Sequence, residues 1–449
     1  MILPPRPKPE TGALDAPRIR VSGHIVDVSP QAFRVAGISP FVRLGDCVVT
    51  NGPEGEELGE VVRIEEKAAT VKPFAVRFQS GVRNLAWRTG PVTLAPATSW
   101  KGRTVDAFGR PCDGLGPLEQ GPRELIADTL PDAAMKRGRI REPVATSVRA
   151  IDIFTPIIKG QRLGIFAGSG VGKSTLMGML ARAKGFDTVV VALVGERGRE
   201  VREFLEETMQ NDLTRVVTVV ATGDESPMMR RLAPKTAMSI AEYFRDLGES
   251  VLLIVDSVTR LAHAARDVAL AAGEPPVARG YPPSVFSDLP RLLERAGPGP
   301  EGTGTITGIF AVLVDGDDHN EPIADAIRGT LDGHIVLDRT IAEQGRFPAI
   351  DVLKSISRLA DLSWNPQERE LVLRLRAMIA RFEDTRDLRL LGGYQRGSDA
   401  TLDQAVDLVP HLYASLVQNP TDAVTAEPFD ELSKRLKQAM APAGAAAAA

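Results

Sequence analysis

The sequence has little of several features that mark specialised classes of protein. Its 449 residues include only two cysteines, Cys47 and Cys112, far apart and without the spacing of metal ligands. This argues against a disulfide framework and a cysteine zinc site, and it is typical of a reducing compartment. The chain has no apolar run of the roughly 20 residues that span a bilayer, and its N-terminus lacks the apolar segment of a signal peptide. We therefore expect a cytoplasmic protein.

An excess of basic charge is also absent. The chain has 54 Lys and Arg residues against 58 Asp and Glu residues, a formal net charge of −4. Proteins that coat nucleic acids or membranes are usually strongly positive, so we expect no nucleic-acid partner. Hydrophobic residues make up 43% and charged residues 25%, which is ordinary for globular proteins. The length predicts two or three domains.

What the chain does have is a glycine-rich loop, Ala167-Gly168-Ser169-Gly170-Val171-Gly172-Lys173-Ser174, between a predicted buried strand and a predicted helix. Such a loop curls its N–H groups inward, and the helix N-terminus adds partial positive charge, so a polyphosphate fits there. Lys173 would reach the β- and γ-phosphates, and the Ser174 hydroxyl would bind Mg²⁺. A chance glycine-rich turn is disfavoured by the strand before it and the helix after it. The predicted nucleotide contacts are Gly168, Ser169, Gly170, Val171, Gly172, Lys173, Ser174 and Thr175.

The pattern along the chain predicts three structured regions. Short β-rich runs separated by turn residues predict an N-terminal β-barrel over 18–97. Apolar runs alternating with helical stretches predict an α/β domain with a mostly parallel sheet over 98–360. A helical pattern predicts a C-terminal helical domain over 361–440, where the pair Asn365-Pro366 begins a helix. The two ends are predicted to be a flexible tail, 1–17, and a disordered tail, 441–449.

The strands of the central sheet can be predicted one by one, because most of these runs are almost continuously apolar. The predicted strands are 161–166, 188–194, 216–221, 251–255, 305–314 and 334–337. In the barrel region, five aromatic residues could form either a core or a base-stacking platform, and the core is favoured. These residues are Phe33, Phe41, Phe74, Phe78 and Trp87.

Two carboxylates are predicted at the same edge of the sheet as Lys173. Asp256 ends an apolar strand, the position from which a carboxylate joins the Mg²⁺ shell, usually through water. The alternative is that Asp256 caps the helix that begins near Val258. Glu196, in the run Gly-Glu-Arg-Gly-Arg-Glu at 195–200, also follows a buried strand. It could polarise an attacking water or belong to a solvated salt-bridge cluster, and the spacing leaves both open.

Together these motifs resemble the rotary-ATPase superfamily. The resemblance also includes Gly280-Tyr281-Pro282-Pro283-Ser284-Val285-Phe286 and the stretch from Phe347 to Arg358. Within the superfamily, the segments 160–174, 195–200 and 332–337 resemble the ATPases of type III secretion, and the flagellar export ATPases most of all. The resemblance covers about residues 20–420 and implies that the central α/β domain is RecA-like.

The resemblance implies roles that the local pattern leaves open. Glu196 matches the catalytic glutamate that orients the hydrolytic water, and Arg197 matches a γ-phosphate contact. Phe347 matches an aromatic residue that packs on adenine, and Tyr394 is expected to border the base pocket. For both rings the alternative is ordinary core packing. Arg358 matches an arginine supplied across a subunit interface to the neighbour's nucleotide, and its alternative is an ordinary ion pair.

The function implied is hydrolysis of ATP with Mg²⁺ by a homohexameric ring that energises flagellar type III protein export. The implied partners are further copies of the chain, stator or regulator and stalk proteins of the export apparatus, export substrates with their chaperones, and the membrane export gate. The protein would associate with this gate peripherally. An injectisome ATPase is one alternative. A hexameric RNA translocase of the termination-factor type is another, from a different class. A non-catalytic nucleotide-binding subunit is disfavoured by Glu196 beside an intact loop.

Overall fold

A computed structural model of the protein describes residues 20–208, 213–314, 321–422 and 427–440. The two predicted tails, 1–17 and 441–449, lie outside the described residues. Within the described ranges, none of the helices combines the length and apolar character needed to cross a membrane.

The first six strands close into a barrel in the order β1-β2-β5-β4-β3-β6, because β6 pairs with β1. Neighbouring strands are antiparallel, and the inward-facing side chains, among them Ile25 and Val35, are fully buried. The bounds are β1 (Ser22–Val28), β2 (Phe33–Ala36), β3 (Cys47–Gly52), β4 (Gly55–Ile64), β5 (Ala68–Pro73) and β6 (Leu85–Gly90).

The five aromatic residues of this region do not all fill the barrel. Phe33 is fully buried and stacks on Phe78 with ring centroids 4.2 Å apart, so the core prediction is confirmed for this pair. For Phe41 it is wrong, since a short 3₁₀ turn carries this ring outward and leaves the residue 58% exposed. Phe74 packs away from the barrel against Phe108 at 4.8 Å. Trp87 is half-buried.

Within the described residues, the central sheet has nine strands, in the order β19-β18-β12-β17-β15-β13-β14-β8, with β16 paired to β17 off this path. Among these described strands, β19 and β16 run antiparallel to their neighbours and the others run parallel, so the sheet is mostly parallel. Two further short pairs, β7 with β9 and β10 with β11, lie outside it. The bounds are β7 (Thr93–Leu94), β8 (Thr104–Val105), β9 (Leu125–Ile126), β10 (Pro143–Val144), β11 (Ile157–Ile158), β12 (Arg162–Ala167), β13 (Thr188–Val194), β14 (Val216–Ala221), β15 (Ser250–Asp256), β16 (Gly297–Pro298), β17 (Thr305–Leu313), β18 (Gly333–Leu337) and β19 (Ile356–Ser357).

Helices cover both faces of this sheet, which is why its strands are apolar throughout. Along β13, Val190 and Ala192 face the core shared with α4, α5, α6 and α7, whereas Val191 and Leu193 face the core shared with α1, α2, α9, α11 and α12. The bounds are α1 (Arg149–Phe154), α2 (Lys173–Ala181), α3 (Gly198–Glu203), α4 (Pro227–Asp246), α5 (Val258–Ala271), α6 (Pro283–Leu293), α7 (Pro322–Thr330), α8 (Arg339–Glu343), α9 (Pro366–Asp384), α10 (Arg386–Leu390), α11 (Ala400–Leu416) and α12 (Pro428–Met440).

The barrel is fastened to the sheet region through α4. The hydroxyl of Ser226, which caps α4, donates a hydrogen bond to the carbonyl of Phe74 at 2.6 Å. One turn further on, Arg231 forms an ion pair with Glu60 of the barrel. The predicted fold class is thereby confirmed: an N-terminal β-barrel, a central mostly parallel sheet and a C-terminal helical region. The exact domain limits stay predictions.

Candidate active site

The glycine-rich loop connects the end of β12 to the start of α2. Gly170 and Gly172 have φ values of +77° and +89°, a conformation that glycine adopts without the cost a Cβ atom would add. Gly172 is the N-cap of α2 and has no side chain that could accept from the first N–H groups. These N–H groups and the helix dipole therefore face the loop, where they suit an anion. Ser174 and Thr175 are exposed in the first turn.

The structure brings Lys173 together with both predicted carboxylates. Lys173 Nζ donates a hydrogen bond to Asp256 Oδ1 and lies 3.9 Å from Glu196 Oε1. All three side chains are at least 87% buried, with exposures of 11%, 4% and 13%. Parallel pairing explains the convergence, because β13 and β15 place their carboxyl ends at one edge of the sheet, with Leu193 level with Asp256.

Both alternatives for the carboxylates are wrong. The cap of α5 is Ser257, whose hydroxyl accepts from the N–H of Arg260, so Asp256 is not the cap. Glu196 is not part of a solvated cluster, because its carboxylate is buried beside Lys173.

Arg260 is a site residue that the sequence reasoning missed. Its Nε lies 3.6 Å from Glu196 Oε1, and its side chain crosses Gly195 so closely that a Cβ there would come within 2.6 Å of Arg260 Cδ. Gly195 also has a φ of +69°, so both space and conformation require glycine. A signal was available, since Arg260 lies in the first turn of the helix that follows Asp256.

Burial dominates the electrostatics of Glu196. Burial of the carboxylate away from water and the negative charge of Asp256 raise the pKa of Glu196 from 4.5 to about 7. The positive charges of Lys173 and Arg260 act in the opposite direction. A carboxylate with a pKa near the working pH can orient a water and accept its proton. The arrangement is therefore chemically suited to activating a nucleophilic water beside the loop.

Phe347 lies directly against the phosphate-binding loop. Its ring atoms are 3.5 and 3.6 Å from the position that a Cβ of Gly172 would occupy, and the residue is 43% exposed. It borders a cavity of about 340 Å³ whose wall includes Arg346 and Tyr413, a size within the ~300–1,000 Å³ of small-molecule sites. The cavity is thus placed to receive an aromatic base next to a bound polyphosphate.

Tyr413 is a second residue that the sequence reasoning missed, and no local motif marks it. Its hydroxyl donates to Glu383 Oε1 at 2.5 Å, and the Arg346 guanidinium lies 3.9 Å from its ring centroid. Tyr394, by contrast, donates its hydroxyl to Asp403 Oδ1 at 2.5 Å and is not part of the cavity wall at Phe347. Its predicted place beside the base stays a prediction.

The two predicted arginines lie at the surface. The Arg197 side chain is 74% exposed and lies 3.7 Å from Glu200. Arg358 follows the edge strand β19, where its backbone N–H donates to the carbonyl of Asp332 at 2.9 Å. Arg358 is exposed, and its guanidinium has no partner among the described residues. The roles of both arginines stay predictions.

The residues at the loop suit Mg²⁺, which phosphates and waters help to bind, better than a metal ion bound by protein side chains alone. In the part of the chain that the structure describes, His, Cys, Asp and Glu form no group of three or more that could hold a metal ion. Mg²⁺ in nucleotide sites takes one or two protein oxygens and completes its shell with phosphates and waters. Ser174 and Asp256 are the residues that would provide those oxygens.

A glycine-rich loop between a parallel strand and a helix, with its lysine facing two carboxylates at the same sheet edge, defines a P-loop nucleotide-binding protein. Comparison with known proteins identifies which family of P-loop proteins the chain resembles. Residues 147–357 match the nucleotide-binding domain of the ATP synthase alpha/beta family. Residues 364–438 match the C-terminal domain of the type III secretion ATPase EscN.

Similar proteins match along nearly the whole chain. The flagellum-specific ATP synthase of Rhizobium meliloti (strain 1021) is 57% identical over 422 residues, which are 94% of this chain and 90% of that protein. The SPI-2 type 3 secretion system ATPase of Salmonella typhimurium (strain LT2) is 43% identical over 409 residues, 90% of this chain and 92% of that one. A solved structure of assembled EscN with its central stalk EscO, from enteropathogenic E. coli, has a TM-score of 0.83 at 38% identity and covers 92% of this chain and all of that one.

The chain belongs to the family of the flagellum-specific ATP synthases and type III secretion system ATPases. It is an ATPase of the ATP synthase alpha/beta class.

Proposed function

We propose that this ATPase works with Mg²⁺ as a homohexameric ring and energises flagellar type III protein export. The observation that carries the chemistry is the cluster of Lys173, Glu196 and Asp256 at the phosphate-binding loop. The Rhizobium meliloti relative, at 57% identity, supports the flagellar assignment over the injectisome, since the SPI-2 ATPase is 43% identical.

Each residue of the cluster has a distinct task in this proposal. The loop N–H groups and Lys173 hold the phosphates and stabilise the negative charge that develops on them. Glu196 orients a water for attack on the terminal phosphate and accepts its proton. Ser174 and Asp256 would hold Mg²⁺, which would offset the negative charge of the phosphates. Phe347 packs on the base, and Arg197 contacts the terminal phosphate once a nucleotide is present.

The assembly completes the site. Arg358 is exposed and unpaired among the described residues, so it is available to a neighbouring subunit. A ring of identical subunits would supply one such arginine to every nucleotide through interfaces that close on rotation. The similar EscN was solved as an assembly with a central stalk, which supports a ring and a stalk partner here. We infer that stator or regulator proteins, chaperoned substrates and the export gate are the further partners, at the cytoplasmic periphery of the export apparatus.

The first test compares Lys173→Ala with Lys184→Ala. Lys184 is an exposed lysine just beyond α2 and serves as the matched control. Lys173→Ala should lose Mg²⁺-dependent ATP hydrolysis by about a hundredfold or more, because the charge that stabilises the transition state is removed. Lys184→Ala should keep wild-type turnover. Near wild-type turnover in a folded Lys173→Ala protein would exclude this site assignment.

The export role needs a separate test in the cell of origin. The chromosomal gene is replaced by the Lys173→Ala and Lys184→Ala versions, and flagellar filaments are counted by electron microscopy. The Lys173→Ala strain should lack filaments, whereas secretion of other proteins into host cells should continue. Normal filaments together with loss of host-cell secretion would favour the injectisome function instead.

A further inference from the structure

The aromatic ring of Phe347 is tied to the C-terminal helical region by its own backbone. The carbonyl of Phe347 accepts a hydrogen bond of 2.8 Å from the N–H of Gln418, which lies two residues beyond α11. Gln418 is only 5% exposed. Whatever holds Gln418 in place therefore also holds the segment that carries Phe347.

The side chain of Gln418 bridges to the start of α1. Its Nε2 donates to the carbonyl of Ser147 at 2.6 Å, and its Oε1 accepts from the N–H of Arg149 at 3.0 Å. Making both contacts needs a donor and an acceptor on one terminal group, which a primary amide provides. A methionine would fill the space without either bond, and a glutamate would lack the donor.

Arg149, the first residue of α1, also connects α1 to the end of α11. Its Nη1 donates to the carbonyls of Ser415 and Val417 at 2.7 and 2.9 Å. These carbonyls lie at the C-terminal end of α11, where helix C=O groups lack intrahelical partners and a cation is favourable. We call Ser147, Arg149, Ser415, Val417 and Gln418 the α1–α11 joint.

The turn at Ser147, to which Gln418 donates a hydrogen bond, is itself fixed by further hydrogen bonds. Ser147 has a φ of +70°, a conformation that is costly for a residue with a side chain unless its surroundings enforce it. The buried carboxylate of Asp152 accepts from the N–H of Ser147 at 3.1 Å and from the N–H of Thr146 at 2.9 Å. Because this turn is fixed, the hydrogen bonds of the joint also fix the position of Gln418 and, through it, the backbone of Phe347.

We propose that Gln418 is a positioning residue for the nucleotide base. Through the α1–α11 joint it fixes the distance between Phe347 on one side and Tyr413 of α11 on the other, and so sets the width of the cavity that receives the base. This inference rests on the proposed function, because it assumes that the cavity holds the base of ATP. The hydrogen bonds of Gln418 to described residues go to Ser147, Arg149 and Phe347 rather than to the phosphate-binding loop or the carboxylates, so it acts on base affinity and leaves phosphate chemistry alone.

The test measures nucleotide affinity and kinetics of Gln418→Ala. Gln404→Ala is the matched control, since Gln404 is an exposed glutamine on α11 outside the joint. Loss of a preorganised cavity should raise KM and Kd for ATP by roughly tenfold in Gln418→Ala, while kcat stays within about twofold of wild type. The Kd for tripolyphosphate, which has no base, should not change in calorimetric titration. Gln404→Ala should match wild type in every measurement.

A second variant keeps the test decisive where the alanine variant folds poorly. Gln418→Glu retains the size and the acceptor for Arg149 but sets a carboxylate against the Ser147 carbonyl, so it should also weaken ATP and spare tripolyphosphate. Equal weakening of ATP and tripolyphosphate would show a general structural role and overturn the proposal, as would unchanged ATP affinity in both variants. If the wild-type protein bound no nucleotide, the proposed function itself would be wrong. If it bound ATP and tripolyphosphate equally tightly, the cavity would not hold the base, and this inference alone would be overturned.

Discussion

At the scale of single residues, the site holds two buried carboxylates beside the Lys173 ammonium group and the Arg260 guanidinium. Lys173 makes its closer contact with Asp256, and the Glu196 carboxylate stands 3.9 Å away. Burial is the main cause of the raised pKa of Glu196 and the negative charge of Asp256 adds to it, because Lys173 and the Arg260 guanidinium offset these effects only in part. This arrangement is costly for the folded protein and useful for catalysis, a common trade-off at active sites.

We expect Glu196→Gln to separate binding from hydrolysis. The amide keeps the shape of the side chain but cannot accept a proton from water, so turnover should fall by about a hundredfold or more. Affinity for ATP should stay within a few-fold of wild type in equilibrium titration. Glu203→Gln, an exposed glutamate on α3, is the control and should hydrolyse normally. A parallel loss of affinity and turnover in Glu196→Gln would assign a structural role to Glu196.

The raised pKa of Glu196 also predicts a pH-dependent change in stability. Its folded-state pKa is about 7, against an ordinary value of 4.5, so between these values only the folded state holds the proton. The unfolding free energy of the wild type therefore falls as the pH rises from about 4.5 to about 7, relative to a protein with a neutral side chain there. Glu196→Gln should be more stable than wild type by about 1–3 kcal/mol near pH 8.

Denaturant titrations at about pH 8 and pH 4.5 measure this difference. It should shrink toward zero at the lower pH, where Glu196 is protonated in the folded protein. If Glu196→Gln proved less stable than wild type near pH 8, the ion pair with Lys173 would be the dominant influence on Glu196, and its pKa would lie below the ordinary value.

At the scale of secondary-structure elements, α9 shows how a local signal defines a helix start. Asn365 Oδ1 accepts from the N–H of Glu368 at 2.9 Å, Glu368 Oε2 accepts from the N–H of Asn365 at 2.8 Å, and Pro366 occupies the first helical position. This capping box satisfies two N–H groups that a helix start otherwise leaves unpaired. The helix then buries Val372, Leu375 and Ile379 at helical spacing against the sheet region.

We expect Asn365→Ala to lower the free energy of unfolding by about 1 kcal/mol, the typical value for loss of an N-cap side chain. Gln367→Ala, at an exposed position in the first turn of the same helix, should change it by less than about 0.5 kcal/mol. Thermal or urea unfolding followed by circular dichroism measures both. Equal effects of the two substitutions would mean that packing, rather than the cap, determines where α9 begins.

At the scale of the whole molecule, one chain carries both the phosphate-binding loop and the exposed Arg358. A homomeric ring could therefore complete every site with a single gene product, and an isolated subunit would be a poor enzyme. Arginines supplied in this way contribute roughly 10³-fold or more in related phosphoryl transfer. Specific activity should accordingly rise with protein concentration.

Mixing two inactive variants tests whether Arg358 acts in trans. Lys173→Ala and Arg358→Ala should each be inactive alone, and mixed rings should regain part of the activity. At some interfaces the intact loop of one variant meets the intact arginine of the other. The control replaces Arg358→Ala with the double variant Lys173→Ala/Arg358→Ala, which leaves no intact loop and should restore nothing. No recovery despite subunit exchange, followed by fluorescent labels, would mean that Arg358 acts within its own subunit or merely supports the fold.

The sequence by itself determined the local features of this protein. The predicted strands of the central sheet agree with the structure to within one residue at each end, because an apolar run between turn residues is a property of neighbouring residues. The phosphate-binding loop could be recognised for the same reason, since glycines at alternate positions allow the left-handed conformations of Gly170 and Gly172. The placement of Glu196 and Asp256 followed from the rule that parallel strands end at one edge.

Only the tertiary structure decided which distant residues meet. Arg260 reaches Glu196, Tyr413 joins Phe347 in one cavity wall, and Gln418 holds the Phe347 backbone. Each contact joins segments separated by tens of residues, and hydrophobic periodicity reports which face of a helix is buried without reporting what covers it. Phe41 shows the same limit, because an aromatic side chain in a turn is buried or exposed according to how the neighbouring strands pack around it.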